Sequence, residues 1–223
     1  MEQLTAGLGT AWEIRRNTYK PFACGVVTHP AIDGLLRIRR KRPTSAAEVD
    51  EVQVHVHPRV LEICGNPEPR TGLEGKFSIY YCCAIALVDG AAGQAQFSDA
   101  RVLDPALIEL RQRVNVLASA GLRPEQAAVR LRFRDGSQLE ERVDHALGTL
   151  ENPLSDGDLN AKFCDLVGPV LGAERTKELL ALTWQLEEVT TVQELTRLCR
   201  PQVGVARCHT CLQSTSAACV YGW

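Results

Sequence analysis

The sequence contains none of the short motifs that announce a common chemistry: no GxSxG elbow, no P-loop, no GxGxxG beside a strand and no HExxH. A serine-elbow hydrolase, a P-loop nucleotidase and a zincin are therefore not indicated by motif. Charge of one sign is also lacking. The formal net charge is -2 at pH 7, so the whole molecule exerts no strong pull on nucleic acid or on an anionic membrane, and any basic site must be local. Long hydrophobic runs are missing as well. The longest uncharged apolar stretch, Phe77 to Val88, is too short to span a bilayer, and Met1 to Leu8 carries no basic segment followed by an apolar run. The chain reads as cytoplasmic, with neither membrane nor nucleic acid among its expected partners. Aromatics are few, and none interleaves the basic run Arg37 to Arg42, which reads as a solvated helix end rather than a nucleic-acid patch.

What is present is an ordinary globular composition. With 223 residues, 45% of them hydrophobic and 23% charged, the chain can bury a core as one large domain or two small ones. Its nine cysteines are odd in number. Cys82, Cys83 and Cys164 fall in apolar helical patterns, where a thiol packs as a small hydrophobe, and reduced cysteines are the expectation.

Hydrophobic periodicity orders the chain. Leu4 to Arg16 has the look of a helix end entering a loop. Ile32, Leu35, Leu36 and Ile38 follow helical spacing from His29 until Pro43. Val52, Val54 and Val56 alternate with Gln53, His55 and His57, the signature of a strand with one buried face, closed by Pro58. A turn-rich segment, Asn66 to Gly75, then leads into a nearly all-apolar helix through Phe77, Tyr80, Tyr81, Ala84, Leu87 and Val88, which points to burial on more than one side. Asp104-Pro105 starts a helix with the stripe Leu107, Ile108, Leu110 and Val114. Val129, Leu131 and Phe133 alternate with arginines, turn at Asp135-Gly136 and return around Leu139 to Val143 as a hairpin. Past Gly148 only helices are expected: one capped by Ser155, one marked by Leu179, Leu182 and Leu186, and one opened by a Thr191/Glu194 capping box. The expected fold class is α+β, followed by a helical coda and an irregular tail over 199–223.

Few residues stand out for chemistry. Lys20 and His29 flank a loop that enters a helix; the lysine can hold a carboxylate as a point charge, and the histidine can donate to an anion or move a proton. Taken alone they read first as a surface lysine and a helix-start histidine. The stiff loop Asn66 to Ser78 can present Lys76 and Ser78 to an anion at a helix N-terminus, or be a solvated surface loop. His55 and His57 lack a third metal ligand in view, and the lone Cys208-His209-Thr210-Cys211 lacks a second pair, so no metal site is expected.

The blocks Lys20-Pro21-Phe22-Ala23-Cys24 with His29 and Ile32-Asp33, Pro69-Arg70-Thr71 with Gly75-Lys76-Phe77-Ser78, Ala86-Leu87-Val88-Asp89-Gly90, and Asn152-Pro153-Leu154-Ser155 with Lys162-Phe163 resemble, in order and spacing, the MmgE/PrpD family. The resemblance runs over about Leu4 to Leu198. It implies a small α+β lid over 21–150, with 1–20 as the end of a helical domain plus linker and 151–198 as returning helices of that domain. Most of the helical domain, the family's first half, is expected to be absent here. The resemblance further implies a metal-independent lyase without cofactor, of 2-methylcitrate dehydratase type or an epimerase or decarboxylase of the same family. Such an enzyme acts on a small di- or tricarboxylic acid. Lys20 and His29 are the implied catalytic groups, with Lys76, Ser78 and Tyr81 in substrate binding. The implied partners are a second copy or the missing helical half, and the alternative is a non-catalytic pairing module.

Overall fold

The computed structural model describes residues 6–201. The chain divides into two compact units at Lys162/Phe163, the first mixed α+β and the second helical. In the first unit, helix α1 (His29–Lys41) and strand β1 (Val49–Val56) are followed by short helices α2 (Pro58–Cys64) and α3 (Gly72–Lys76). Helix α4 (Ile79–Val88), short helices α5 (Asp99–Val102) and α6 (Pro105–Arg111), and strands β2 (Val114–Ala118), β3 (Ala127–Phe133) and β4 (Gln138–Val143) complete it.

The sheet order is β2-β1-β3-β4, with β1 parallel to β2 and antiparallel to β3, and β3 antiparallel to β4. A parallel neighbour requires a long crossover, and the helices between β1 and β2 supply it. Val52, Val54 and Val56 of β1 are fully buried and stand opposite Leu131, Val129 and Ala127 of β3. Against them pack Ile32, Leu35 and Ile38 of α1 and most of α4. Burying a side chain of this size contributes about 1.5–3 kcal/mol, so this one cluster dominates the unit's stability. Helix α4 is buried from Tyr81 to Leu87, which its lack of a polar face required.

The basic run at the end of α1 is held by the chain itself. Arg37 pairs with Asp33 at 2.7 Å, Lys41 with Glu141 and Arg42 with Asp135 at 3.0 Å, while the Arg42 guanidinium lies 3.7 Å above the Phe133 ring. These bonds clamp the helix end onto the β3–β4 hairpin, whose turn places Gly136 at φ +84°.

Several elements differ from the expectation. Val114 belongs to β2 rather than to the helical stripe of α6, because α6 ends at Arg111 and parallel pairing with Val52 captures the next residues. Phe77 lies outside α4 and is 46% exposed, since the helix is capped by Ser78. The segment expected to be turn-rich carries α3, and Pro58, rather than only closing β1, is the first residue of α2. Leu4 to Arg16 holds, among its described residues, a single 3₁₀ turn at Glu13–Arg16 with no buried residue to support a longer helix.

The second unit takes in most of helix α7 (Asp156–Leu171), helix α8 (Ala173–Trp184) and helix α9 (Val192–Leu198). Leu171, Leu179 and Leu198 form its small core, with Phe163, Val167, Leu182 and Leu195 against them. Cys164 sits off that stripe and is exposed, contrary to its expected packing. Ser155 caps α7 by accepting from Asp158 N at 3.2 Å. Thr191 precedes α9 but makes no side-chain cap bond, so the expected capping box does not form. The tail motif Cys208 to Cys211 lies outside the described residues. Among the described residues no helix is long and apolar enough to cross a membrane.

Gly148 has φ +90°, and a Cβ there would stand 2.0 Å from the Tyr19 carbonyl oxygen, which is held close because Tyr19 N donates to Gly148 O at 3.0 Å. Gly148→Ala is expected to lower unfolding stability by about 1–3 kcal/mol, measured by urea titration, whereas Gly136→Ala, with nothing within 4 Å of its Cβ, carries only the backbone cost.

Candidate active site

The loop that enters α1 is fixed from four sides by its backbone. Tyr19 N donates to Gly148 O at 3.0 Å, Ala23 N to Ala92 O at 2.9 Å and Gly25 N to Lys76 O at 2.9 Å. The Lys162 ammonium donates to Lys20 O at 2.8 Å. The Lys20 side chain folds back over the loop, donating to Cys24 O at 3.3 Å. His29 opens α1, is only 3% exposed, and meets the Phe22 ring edge-on at 5.2 Å between centroids. Its Nε2 is buried with no hydrogen-bond partner. A buried polar atom left unpaired costs about 1–3 kcal/mol, and such an atom calls for an explanation in chemistry or in a ligand.

The second block meets the first along the Gly25–Lys76 backbone bond. Lys76 is half-buried and its ammonium donates to Gln94 Oε1 at 3.0 Å. Ser78 is fully buried; its hydroxyl donates to Asn66 O at 2.6 Å and accepts from Tyr81 N at 3.2 Å as the cap of α4. The Tyr81 hydroxyl donates to Gln96 O at 2.5 Å, and burial pushes its ionisation above the ordinary range. Of the five residues singled out in the sequence, Lys20 and His29 lie in the block that the Gly25–Lys76 backbone bond joins to Lys76. Ser78 and Tyr81 have their protons committed to backbone carbonyls and hold those loops in shape.

Behind this crossing lies a group of thiols that periodicity alone did not flag. Cys24 is buried, with Sγ 3.3 Å from Thr28 Oγ1, and Cys82 and His29 act on its ionisation. The hydrogen bond from Cys82 is the main cause that lowers the Cys24 thiol to about 5, against the opposing effect of burial and with further help from His29 and Thr28. Cys82 moves the other way, pushed well above its ordinary value chiefly by burial. The only signal in the sequence was the position of Cys24 inside the block before His29; the link to Cys82 required the fold.

Other candidates do not assemble. His55 stays on the strand with Nε2 3.3 Å from Gln53 Oε1, while His57 leaves it to cap α2, its Nδ1 accepting from Arg59 N. Among the described residues no group of three or more His, Cys, Asp or Glu could hold a metal ion. A groove of about 470 Å³ opens between Leu61, Ile63, Leu73 and Phe77, but Glu62 and Glu74 also line it, so it disfavours an anionic acid by like-charge repulsion.

The first unit is a four-stranded mixed sheet backed by an apolar helix, with Lys20, His29 and Lys76 carried on two blocks that a backbone bond joins. The profile of the MmgE/PrpD C-terminal domain matches residues 22–187, and the chain belongs to the MmgE/PrpD family. A cis-aconitate decarboxylase of Aspergillus terreus (strain NIH 2624 / FGSC A1156) is 27% identical over 212 residues, covering 88% of this chain and 43% of the relative. The cis-aconitate decarboxylase of Mus musculus is 25% identical over 189 residues, covering 81% and 38%, and that of Homo sapiens is 22% identical over 187 residues, covering 81% and 39%. The chain therefore spans less than half the length of the curated relatives it matches.

The Cys24 shift has a pH consequence. Its folded value near 5 lies below the ordinary 9.0, so between these values the unfolded chain holds a proton that the native chain has released, and stability from this group rises with pH. It is present in full above about pH 9 and lost as pH falls through about 5, while Cys82, shifted upward, opposes it only above about 9. Urea-unfolding midpoints under reducing conditions are expected to rise between pH 5 and 8, and Cys24→Ser should flatten that rise.

Proposed function

We propose that this chain is the lid-bearing part of a lyase acting on a small tricarboxylic acid, working without metal or cofactor as its family resemblance implies. The observation that carries the reading is the buried, unpaired Nε2 of His29, in the block that also holds Lys20 and that the Gly25–Lys76 backbone bond joins to Lys76. Region 21–150 is the lid in this reading, 1–20 the linker from a helical domain and 151–198 its returning helices. The helical half, or a second copy, is the partner that completes the cleft. Exposed Val26, Leu73, Phe77 and Leu103 are the kind of apolar surface that such a partner covers.

In this mechanism Lys20 and Lys76 hold substrate carboxylates as point charges and stabilise negative charge that builds on carbon next to a carboxylate. His29 moves the proton through Nε2, its ring held edge-on by Phe22. Ser78 and Tyr81 support substrate binding by fixing the Lys76 loop. The names of the relatives favour decarboxylation, in which the electrons of the broken carbon–carbon bond enter the unsaturated acid and the proton returns at carbon. Dehydration of 2-methylcitrate uses the same base and the same cations, and epimerisation needs only the proton movement.

The test supplies the N-terminal half of the Aspergillus relative to this chain and assays cis-aconitate, 2-methylcitrate and iminodisuccinate in parallel. Carbon dioxide release from cis-aconitate is the expected outcome, with Lys20→Ala and His29→Ala each lowering kcat by on the order of 10²-fold or more. Turnover that survives both substitutions would remove the site assignment. A reconstituted enzyme that acts on 2-methylcitrate alone would replace decarboxylation with dehydration.

A further inference from the structure

Lys20 is followed by Pro21, which has no N–H, so the Lys20 carbonyl is the only hydrogen-bonding atom in the peptide unit between them. The backbone on either side is tied elsewhere: Tyr19 N donates to Gly148 O at 3.0 Å and Ala23 N to Ala92 O at 2.9 Å. Pro21 seats against Gly148, its Cδ 2.9 Å from where a Cβ on that glycine would stand. Proline also pushes the residue before it towards extended backbone. What is left free is rotation of the Lys20–Pro21 peptide plane, which sets where the Lys20 side chain starts. The Lys162 ammonium takes the Lys20 carbonyl at 2.8 Å and stops that rotation. We propose that Lys162 is a positioning residue, a latch from α7 that aims the Lys20 ammonium at a substrate carboxylate; the aim, though not the latch, rests on the lyase reading above.

The first turn of α7 leaves this lysine available. Asp158, four residues earlier, is the ion-pair partner that helical spacing would give Lys162. Its Oδ2 instead accepts from Ser155 N at 2.9 Å and from Ser155 Oγ at 2.6 Å. Among the described residues neither Lys162 nor Lys20 pairs with a carboxylate, and each ammonium donates to one backbone carbonyl. An ammonium carries three donors, so both retain capacity for an anion. The Lys20 bond, to Cys24 O at 3.3 Å, is long and has a neutral acceptor, and a carboxylate replaces it with a stronger one between two charges. The Lys162 bond is shorter and holds the backbone, so the two lysines divide the work: one fixes the loop and the other is released to the substrate. Lys162 is the last residue of the first compact unit, so the latch belongs to the same body as the loop it holds.

Hydrogen exchange on the full chain, read by mass spectrometry, tests the latch without any turnover. Lys162→Met is expected to speed exchange of the Tyr19 and Ala23 amides by about tenfold or more, as loss of a bond to a charged donor implies. Lys162→Arg keeps exchange near that of the wild type, and β1 stays protected in both; Lys162→Leu takes the place of Lys162→Met should the latter lose the β1 protection. In the assembly with the N-terminal half of the Aspergillus relative, Lys162→Met lowers kcat/KM on cis-aconitate by about tenfold. Added to Lys20→Ala it lowers it no further, because a group that acts through Lys20 has nothing to aim once that ammonium is gone. A double variant whose loss is the product of the two single losses, or unchanged exchange at Tyr19 and Ala23, overturns the proposal. A wild-type assembly without turnover removes the lyase reading, and exchange then decides the latch by itself.

Discussion

One backbone hydrogen bond, from Gly25 N to Lys76 O, joins the two blocks on which everything at the candidate site depends. Neither block has a shape of its own. The loop from Tyr19 to Gly25 has no regular structure, and Lys76 ends a helix of five residues, too short to stand without tertiary support. Each is ordered by what it is fastened to: the first by Gly148, Lys162 and Ala92, the second by the Ser78 cap and the Gly65–Ser78 bridge. A Cβ at Gly25 would lie 2.9 Å from Cys64 Sγ. The crossing therefore has room for backbone and little else, and it joins the block of Lys20 and His29 to that of Lys76.

Much of the scaffold was legible because burial enforces periodicity. The α1 stripe, the β1 alternation, the hairpin around Gly136 and the all-apolar α4 each bury a contiguous face, and each reads from the sequence with small errors at the ends. The failures share one cause. Strand β2 is five residues long and exists through its parallel pairing with β1, so Val114 looked like the next position of a helical stripe. Helices α2 and α3 are shorter than the window in which a helical period can be seen. Thr191 has the right spacing for a capping box, yet the reciprocal bonds do not form.

The candidate site was legible as a set of residue types and not as an arrangement. Lys20, His29 and Lys76 stood out through their blocks. Only the fold separates them from Ser78 and Tyr81, whose hydroxyls point to carbonyls at 2.6 and 2.5 Å. The effect of Cys82 on Cys24 lies beyond any local pattern, and the apolar helical pattern marked Cys82, Cys83 and Cys164 as small hydrophobes, which describes the buried Cys83 well and the exposed Cys164 poorly.

The strand order carries a further consequence, for the order of events during synthesis. Strand β1 leaves the ribosome before its partners, β2 roughly sixty residues later and β3 later still. Until those arrive, Val52, Val54 and Val56 form an apolar strip with two open edges, in a topology of high contact order that folds slowly. During that interval α1 is the large apolar partner already made. The nascent chain is thus most prone to aggregation between the emergence of β1 and the closing of the hairpin, a window set by topology rather than by final stability.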